Sequence, residues 1–424
     1  MNIAILGYGI EGESVYNYYH DKFPDASFTA YDNNTEPKNP LPDGVKFVGG
    51  VEDFKGITAD LAVKTPAIPP WKVHVSGQVT TATREFMQQC VAPIIGVTGT
   101  KGKGTTSSLI KSILDAAGKK TWLVGNIGIA ALDVLDQISP DDVVIYELSS
   151  FQLWDIDISP HVAVILGIEP EHLDVHKDFE DYLHAKGHIA HYQKATDSVV
   201  YKYTNEFSQA LAGLSAGQKV PYLDVSGAHI RGGDFYYTEQ KMCSVSDLKI
   251  IGTHNAENAC AAIAAVREWV QDGDIIAAGL RNFSGLPYRI ELIRELNGVS
   301  YYNDSYSTAP AATEVALRAV TKPTILIAGG YDRGASYSDL AKKISEHPSI
   351  KKTLLIGQTK HKIAEGLKEG TFEFVDSLEE TVQRAHDLAS DGDAVVFSPG
   401  CASFDMFKDF TERGRQFTQL VESL

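Results

Sequence analysis

The run Gly96-Val97-Thr98-Gly99-Thr100-Lys101-Gly102-Lys103-Gly104-Thr105-Thr106 constrains this chain more than any other stretch. It sits between an apolar run ending Ile94-Ile95 and a helical pattern that starts at Ser107. A strand, a glycine loop and a helix in that order form a phosphate cradle. The glycines let backbone N–H groups turn toward oxygens, a lysine offsets charge, and the helix N-terminus adds its dipole. The spacing predicts a nucleoside triphosphate held by Gly99, Thr100, Lys101, Gly102, Lys103, Gly104 and Thr105. The spelling departs from GxxxxGK[ST]: Val97 holds the first glycine slot, Gly104 follows the lysine, and the hydroxyl moves to Thr105.

A second nucleotide signal opens the chain. Asn2 to Leu6 reads as a strand, Gly7-Tyr8-Gly9-Ile10-Glu11-Gly12 as a glycine turn into a helix, and Ser27 to Tyr31 as a strand ending at Asp32. In a Rossmann unit the glycines admit a pyrophosphate and the acid takes ribose hydroxyls. Three readings follow: a nicotinamide oxidoreductase, a domain that grips a nucleotide-linked substrate, or a plain βαβ turn. A chain with a separate phosphate loop has less need of a nicotinamide, which favours the second.

A chain of 424 residues is too long for one core, so two or three domains are expected. The net charge of −17 argues against general affinity for nucleic acid or anionic lipid. An anionic ligand must then meet local positive charge from loop lysines, helix N-termini or a bound Mg²⁺. No apolar stretch has the length of a membrane span, and the N-terminus lacks a basic leader, so a cytoplasmic chain is expected. Cys90, Cys243, Cys260 and Cys401 show no metal-type spacing and are expected to be reduced.

Strands and helices then alternate. The run from Asp142 into Glu147 and the run Val162 to Leu166 are apolar, as in a parallel sheet covered on both faces. After Gly285-Leu286-Pro287-Tyr288-Arg289 the pattern restarts with Val299 to Tyr302, Thr324 to Ala328, Thr353 to Ile356 and Ala394 to Phe397. The expected fold is α/β in three domains: a Rossmann-like one over 1–88, a phosphate-loop ATPase with a mostly parallel sheet over 89–286, and a Rossmann-like one over 287–424.

Some residues invite chemistry by position. Glu147 ends a buried strand where an acid reaches a nucleotide-bound Mg²⁺; the bland alternative is a solvated strand end. His172 follows the next strand, and Lys186 lies in a helical stretch; either serves equally as an ordinary structural or solvated residue. Asp304 follows a strand and can accept ribose hydroxyls, and Arg289 can reach phosphates, or each caps or pairs locally. Ser398 to Ser403 also leads from a strand into a helix, as a carboxylate site or a plain cap.

In their order and spacing these stretches resemble the Mur ligase family across essentially the whole chain, most closely its glutamate-adding branch. The resemblance rests on Gly7 to Gly12, the TGTKGKGT loop, Gly125-Asn126-Ile127-Gly128, Glu147 to Leu153 and His172-Leu173-Asp174. It continues in Gly252-Thr253-His254-Asn255, Gly285 to Arg289, Asn303-Asp304-Ser305, and Ser398 to Ser403 running on to Phe407 and Phe410.

The resemblance implies an ATP-dependent ligase that joins D-glutamate to UDP-N-acetylmuramoyl-L-alanine through an acyl phosphate, as a monomer, in peptidoglycan precursor synthesis. Carried over, Lys103 contacts ATP phosphates, Asn126 lies near the γ-phosphate, and Asn258, Arg289 and Asp304 contact ATP. Glu147 and Thr105 hold one Mg²⁺; His172 helps hold a second, with Lys186 in the place of a carbamylated lysine. Ile10, Glu11, Asp32 and Asn33 fall at the UDP site, and Thr308, Arg333, Ser403 and Phe410 at the amino-acid site.

Three departures mark this chain. Gly104 stands where a hydroxyl residue often follows the loop lysine. Asn303-Asp304-Ser305-Tyr306-Ser307-Thr308-Ala309 loses the lysine and final asparagine of the family's NDSKATN. Arg333 stands where a glutamate-binding lysine is common. The last two surround the amino-acid site, which leaves L-glutamate as an alternative substrate. A folylpolyglutamate synthase-type ligase is the other alternative, but about ninety residues with a glycine turn precede the ATP loop here.

Overall fold

The computed structural model describes residues 1–334 and 336–424. Three sheets follow one another along the chain. The first contains β1 (Asn2–Leu6), β2 (Ser27–Tyr31), β3 (Lys46–Val48), β4 (Phe54–Lys64) and β5 (Val73–Thr81), all parallel, in the order β3-β2-β1-β4-β5. Its two faces are covered separately, Ile3 and Ile5 on one side, Ala4 and Leu6 on the other.

The second sheet has nine strands. They are β6 (Ile94–Thr98), β7 (Thr121–Gly125), β8 (Val143–Glu147), β9 (Val162–Ile165), β10 (Ser198–Lys202), β11 (Gln218–Tyr222), β12 (Ala228–Arg231), β13 (Asp234–Tyr237) and β14 (Gln240–Ser244). The order is β14-β13-β12-β11-β10-β9-β6-β8-β7, parallel except for the antiparallel edge β12 to β14. Every residue of β6, β8 and β9 is buried, which is why these strands read as unbroken apolar runs.

Register sets the working edge. Val97 pairs with Glu147, Gly125 with the same Glu147, and Thr98 with Ile165. The carboxyl ends of β6, β7, β8 and β9 therefore finish together, and the segments after them emerge side by side. Open parallel sheets place ligands at such an edge.

The third sheet has β15 (Glu291–Leu296), β16 (Val299–Asn303), β17 (Thr324–Ala328), β18 (Ile350–Leu355), β19 (Phe372–Phe374) and β20 (Ala394–Phe397), in the order β15-β16-β20-β17-β18-β19. Only β15 runs antiparallel. Leu326, Ala328 and Val396 join one apolar cluster while Ile325, Ile327 and Val395 join another, so helices cover both faces.

The chain forms two compact units. One is Met1–Leu248 with Glu257–Asn282 and holds the first two sheets; the other is Lys249–Ala256 with Phe283–Leu424 and holds the third. Among the described residues no helix is long and apolar enough to cross a membrane.

Candidate active site

The loop after β6 turns through Gly99 (φ 147°) and Gly102 (φ 88°) into the helix Lys103–Ala116. Gly102 is that helix's N-cap, in the left-handed region and without a side-chain cap. A side-chain carbon there would lie 2.5 Å from Asn258 Oδ1, so glycine is required by both backbone and neighbour. No side chain of the N-cap takes the first helical N–H groups, as an anion cradle needs. The helix starts four residues before the expected Ser107, because its first turn buries Gly104, Thr105 and Thr106 instead of large apolar side chains.

Lys103 Nζ donates to the carbonyls of Gly99 (3.1 Å) and Thr100 (3.0 Å). Thr100 is buried and reaches Tyr182, the two hydroxyl oxygens 3.0 Å apart, and its Oγ1 accepts the Glu169 N–H at 2.9 Å. Lys101 is exposed, 3.8 Å from Glu169.

Glu147 is only 4% exposed although it ends a strand. Asn126, on the segment after β7, donates from Nδ2 to Glu147 Oε1 at 3.0 Å and from its backbone N to the Glu147 carbonyl at 3.1 Å. His172 lies on the loop after β9 with φ 56°, exposed, its ring 5.1 Å from Phe151.

Lys186, in the helix Phe179–His191, is 1% exposed and donates to Gly99 O (2.9 Å) and Thr98 Oγ1 (3.3 Å). Burial, with Lys103 nearby, holds its amine well below the usual lysine range, against the pull of Glu171 and Glu147. The sequence-predicted Lys103, Asn126, Glu147 and Lys186 therefore gather at one sheet edge.

A cleft of ≈ 830 Å³ runs from the glycine turn of the first sheet to this edge. Ile10, Glu11, Asp32 and Asn33 line it, and so do Asn126, Ser149 and Phe151. Gly12 has no room for a side chain, which would strike the Gly7 carbonyl. Asp32 accepts the Tyr8 N–H at 2.7 Å; burial alone would raise its carboxyl, but the N–H groups of Tyr8 and Asn34 hold it below the usual range. Burial raises Glu11 to about 7, partly offset by Lys64.

In the third sheet, Asn303 pairs with Phe397 and Ile327 with the same Phe397, so the loops after β16, β17 and β20 emerge together. Asp304 is 2% exposed and accepts from Ser307 Oγ (2.6 Å), Ser398 Oγ (2.6 Å) and the Ile290 N–H (3.1 Å). Burial raises its carboxyl to about 6 despite these donors. In this arrangement it braces loops and does not present itself to a ribose. Arg289 lies over the Tyr306 ring at 4.2 Å, and that ring meets Phe410 edge-on at 5.2 Å. Ser403 is buried, Thr308 half-buried, and Arg333 exposed over Phe404 at 5.4 Å.

Residues 97–266 match the Mur ligase middle domain and 288–401 the Mur ligase glutamate ligase domain. The chain belongs to the Mur ligase family. It is 38% identical to UDP-N-acetylmuramoylalanine--D-glutamate ligase of Acetivibrio thermocellus and 35% identical to that of Clostridium kluyveri, each over 100% of this chain and 96% of the relative. The fold is similar to UDP-N-acetylmuramate-alanine ligase MurC from Thermotoga maritima, with a TM-score of 0.61 at 19% identity over 100% of this chain and 99% of that one.

As a Mur ligase the protein is an ATP-dependent amide ligase of peptidoglycan precursor synthesis. Two buried polar residues that no sequence pattern marks brace this Mur ligase. Lys64 is 1% exposed, 2.8 Å from both Asp155 and the Ile68 carbonyl that it donates to. Arg413 is 2% exposed and donates to Ser305 and to the carbonyls of Cys401 and Ala402, tying two of the third-sheet loops to one helix. Burial lowers its guanidinium to about 10. Neither has a motif; their partners lie far away in sequence.

Proposed function

We propose that this Mur ligase joins D-glutamate to UDP-N-acetylmuramoyl-L-alanine in the cytoplasm, with ATP and two Mg²⁺ ions, as a monomer. The observation that carries the reading is the single cleft lined by both the N-terminal glycine turn and Asn126. It suits a long substrate whose nucleotide end rests at Gly7 to Asn33 and whose carboxylate reaches the edge of the second sheet. The proposed domains are 1–88 for UDP, 89–286 for ATP and 287–424 for the amino acid.

The donor chemistry fits Mg²⁺. A metal that works on phosphates takes one or two protein oxygens and completes its shell with phosphate and water. The buried Glu147 carboxylate and the Thr105 hydroxyl are such donors, and His172 with a carbamate on Lys186 would serve a second ion. Bound Mg²⁺ would offset phosphate charge. A carbamate forms when a neutral amine attacks CO₂ and releases a proton, and an amine held well below its usual range reaches that neutral form more readily than an ordinary lysine.

The remaining work falls to the chain. Loop N–H groups and Gly99 to Thr105 hold the triphosphate, and Lys103 exchanges two loop carbonyls for the γ-phosphate. The substrate carboxylate attacks the γ-phosphorus, ADP leaves, and an acyl phosphate forms. The glutamate amine adds to its carbonyl, a proton is lost, and phosphate departs with the amide made. Thr308, Arg333, Ser403 and Phe410 hold the glutamate, and Asn258 and Arg289 serve the nucleotide, while Asp304 braces the loops beside them.

Phosphate release from ATP and Mg²⁺ with UDP-N-acetylmuramoyl-L-alanine and either glutamate enantiomer tests this, with the product checked by mass. Release with D-glutamate is expected. Release with L-glutamate alone would make Tyr306 and Arg333 a stereochemical switch, and silence with both would overturn the reading.

A further inference from the structure

A buried imidazole joins the segments that carry the proposed metal-side groups. His176, its side chain 0% exposed, lies four residues after His172 and donates its backbone N–H to the His172 carbonyl at 2.9 Å. Its Nδ1 is 2.8 Å from Asp181 Oδ2 and its Nε2 is 2.9 Å from Ser150 Oγ. A carboxylate only accepts, so Nδ1 carries the proton and Nε2 takes the serine hydroxyl.

Each partner leads to the reaction edge. Ser150 follows Glu147 by three residues in a short helix capped by Ser149. Asp181 sits in the first turn of the helix that carries Lys186. The next residue, Tyr182, reaches Thr100 of the phosphate loop and lies 4.8 Å beneath the Lys186 amine. Phe151 stacks on the imidazole, ring centres 5.3 Å apart and planes at 14°. A Ser–His–Asp chain also suggests a nucleophile, but Ser150 is 2% exposed, which suits a brace and not a group that must meet substrate.

We infer that His176 is a positioning residue. Through Ser150 and Asp181 it fixes the spacing of the Glu147 strand end, the His172 loop and the Lys186 helix, and so sets the site's affinity for its divalent cation. The inference rests on the proposed metal roles of those three residues. Groups that orient metal ligands commonly change affinity about 10- to 100-fold when removed.

The test is Mn²⁺ binding, followed by electron paramagnetic resonance, to the full chain with a non-hydrolysable ATP analogue. His176→Phe keeps a ring and loses both hydrogen bonds; it should weaken Mn²⁺ about 10-fold or more. Ser150→Ala should weaken it less, and the double variant no more than His176→Phe alone, since the two act through one contact. The KM for the UDP-linked substrate should hold within about twofold while the Mg²⁺ requirement rises, an effect of ligand placement and not of general binding. His176→Asn, which retains a donor toward Asp181, should recover part of the loss, and it and Ser150→Ala carry the test if His176→Phe does not fold. Unchanged Mn²⁺ affinity in these folded variants would overturn the inference. Unchanged affinity in Glu147→Gln and His172→Ala would overturn the metal reading beneath it.

Discussion

Lys103 and Lys186 share one acceptor: the Gly99 carbonyl takes a hydrogen bond from each, at 3.1 and 2.9 Å. Two amines on one oxygen in a buried place favour loss of a proton from the deeper, and Lys186 is the deeper. A buried amine that holds its proton less tightly than usual, beside a phosphate loop, suits attack on CO₂ once that proton is lost. Protein given ¹³C-bicarbonate near pH 8 should show a carbamate resonance that Lys186→Gln abolishes. Lys103→Ala should reduce kcat/KM by about 10²- to 10³-fold, as loss of a charge-stabilising donor does. A full-strength carbamate-free enzyme would refute the first expectation, and a Lys103→Ala loss below tenfold the second.

Gly102 carries φ 88° against Asn258. Alanine there meets left-handed strain of about 1–2 kcal/mol and a collision that must push the loop away from Asn258. Gly102→Ala should lower Tm by several degrees and raise the ATP KM at least fivefold. Thermal melting with and without nucleotide separates the two effects.

Tyr306 follows Asn303-Asp304-Ser305, and its ring supports Arg289. A cation over an exposed ring is worth about 0.5–1 kcal/mol. Tyr306→Leu should therefore raise the ATP KM roughly twofold to fivefold. Initial-rate measurements at saturating glutamate check it, and an unchanged KM would show that Arg289 needs no platform.

His161 sits between Asp197 (3.1 Å) and Glu268 (2.7 Å). Burial opposes its charge, but the two carboxylates prevail and raise its imidazole above the usual range. A raised folded pKa adds stability that is fully present below the unfolded value near 6.5 and disappears as pH rises through the folded value. The Tm gap between the native chain and His161→Gln should thus be wide near pH 6 and narrow by pH 9. A gap that widens with pH would contradict the pairing.

Much of this was legible along the chain because local physics dictated it. Apolar runs such as Val143 to Tyr146 announce strands covered on both faces, and glycines 99 and 102 announce a backbone that side chains disfavour. The helix after the phosphate loop was placed too late, since its first turn serves an anion and buries small polar residues. Asp304 looked like a free acid after a strand, yet Ser398, ninety-four residues on, claims it. His176, Lys64 and Arg413 left no periodic trace. A buried polar residue is explained only by its partners, and Ser150, Asp155 and Ser305 become partners only through folding.

The short segment Lys249–Ala256 belongs to the unit of the third sheet although the residues on both sides of it belong to the other. Ile251 packs on the cluster of Leu326 and Val396, and a side chain at Gly252 would touch Ala319. The third-sheet unit is thus stitched from two pieces of chain, and no single cut releases it whole. A graft of residues 287–424 onto another ligase would arrive with an apolar patch where Ile251 belongs, whereas a graft that also carries 249–256 would bring its own cover. Exchange of amino-acid preference by recombination within this architecture therefore has to move two segments at once.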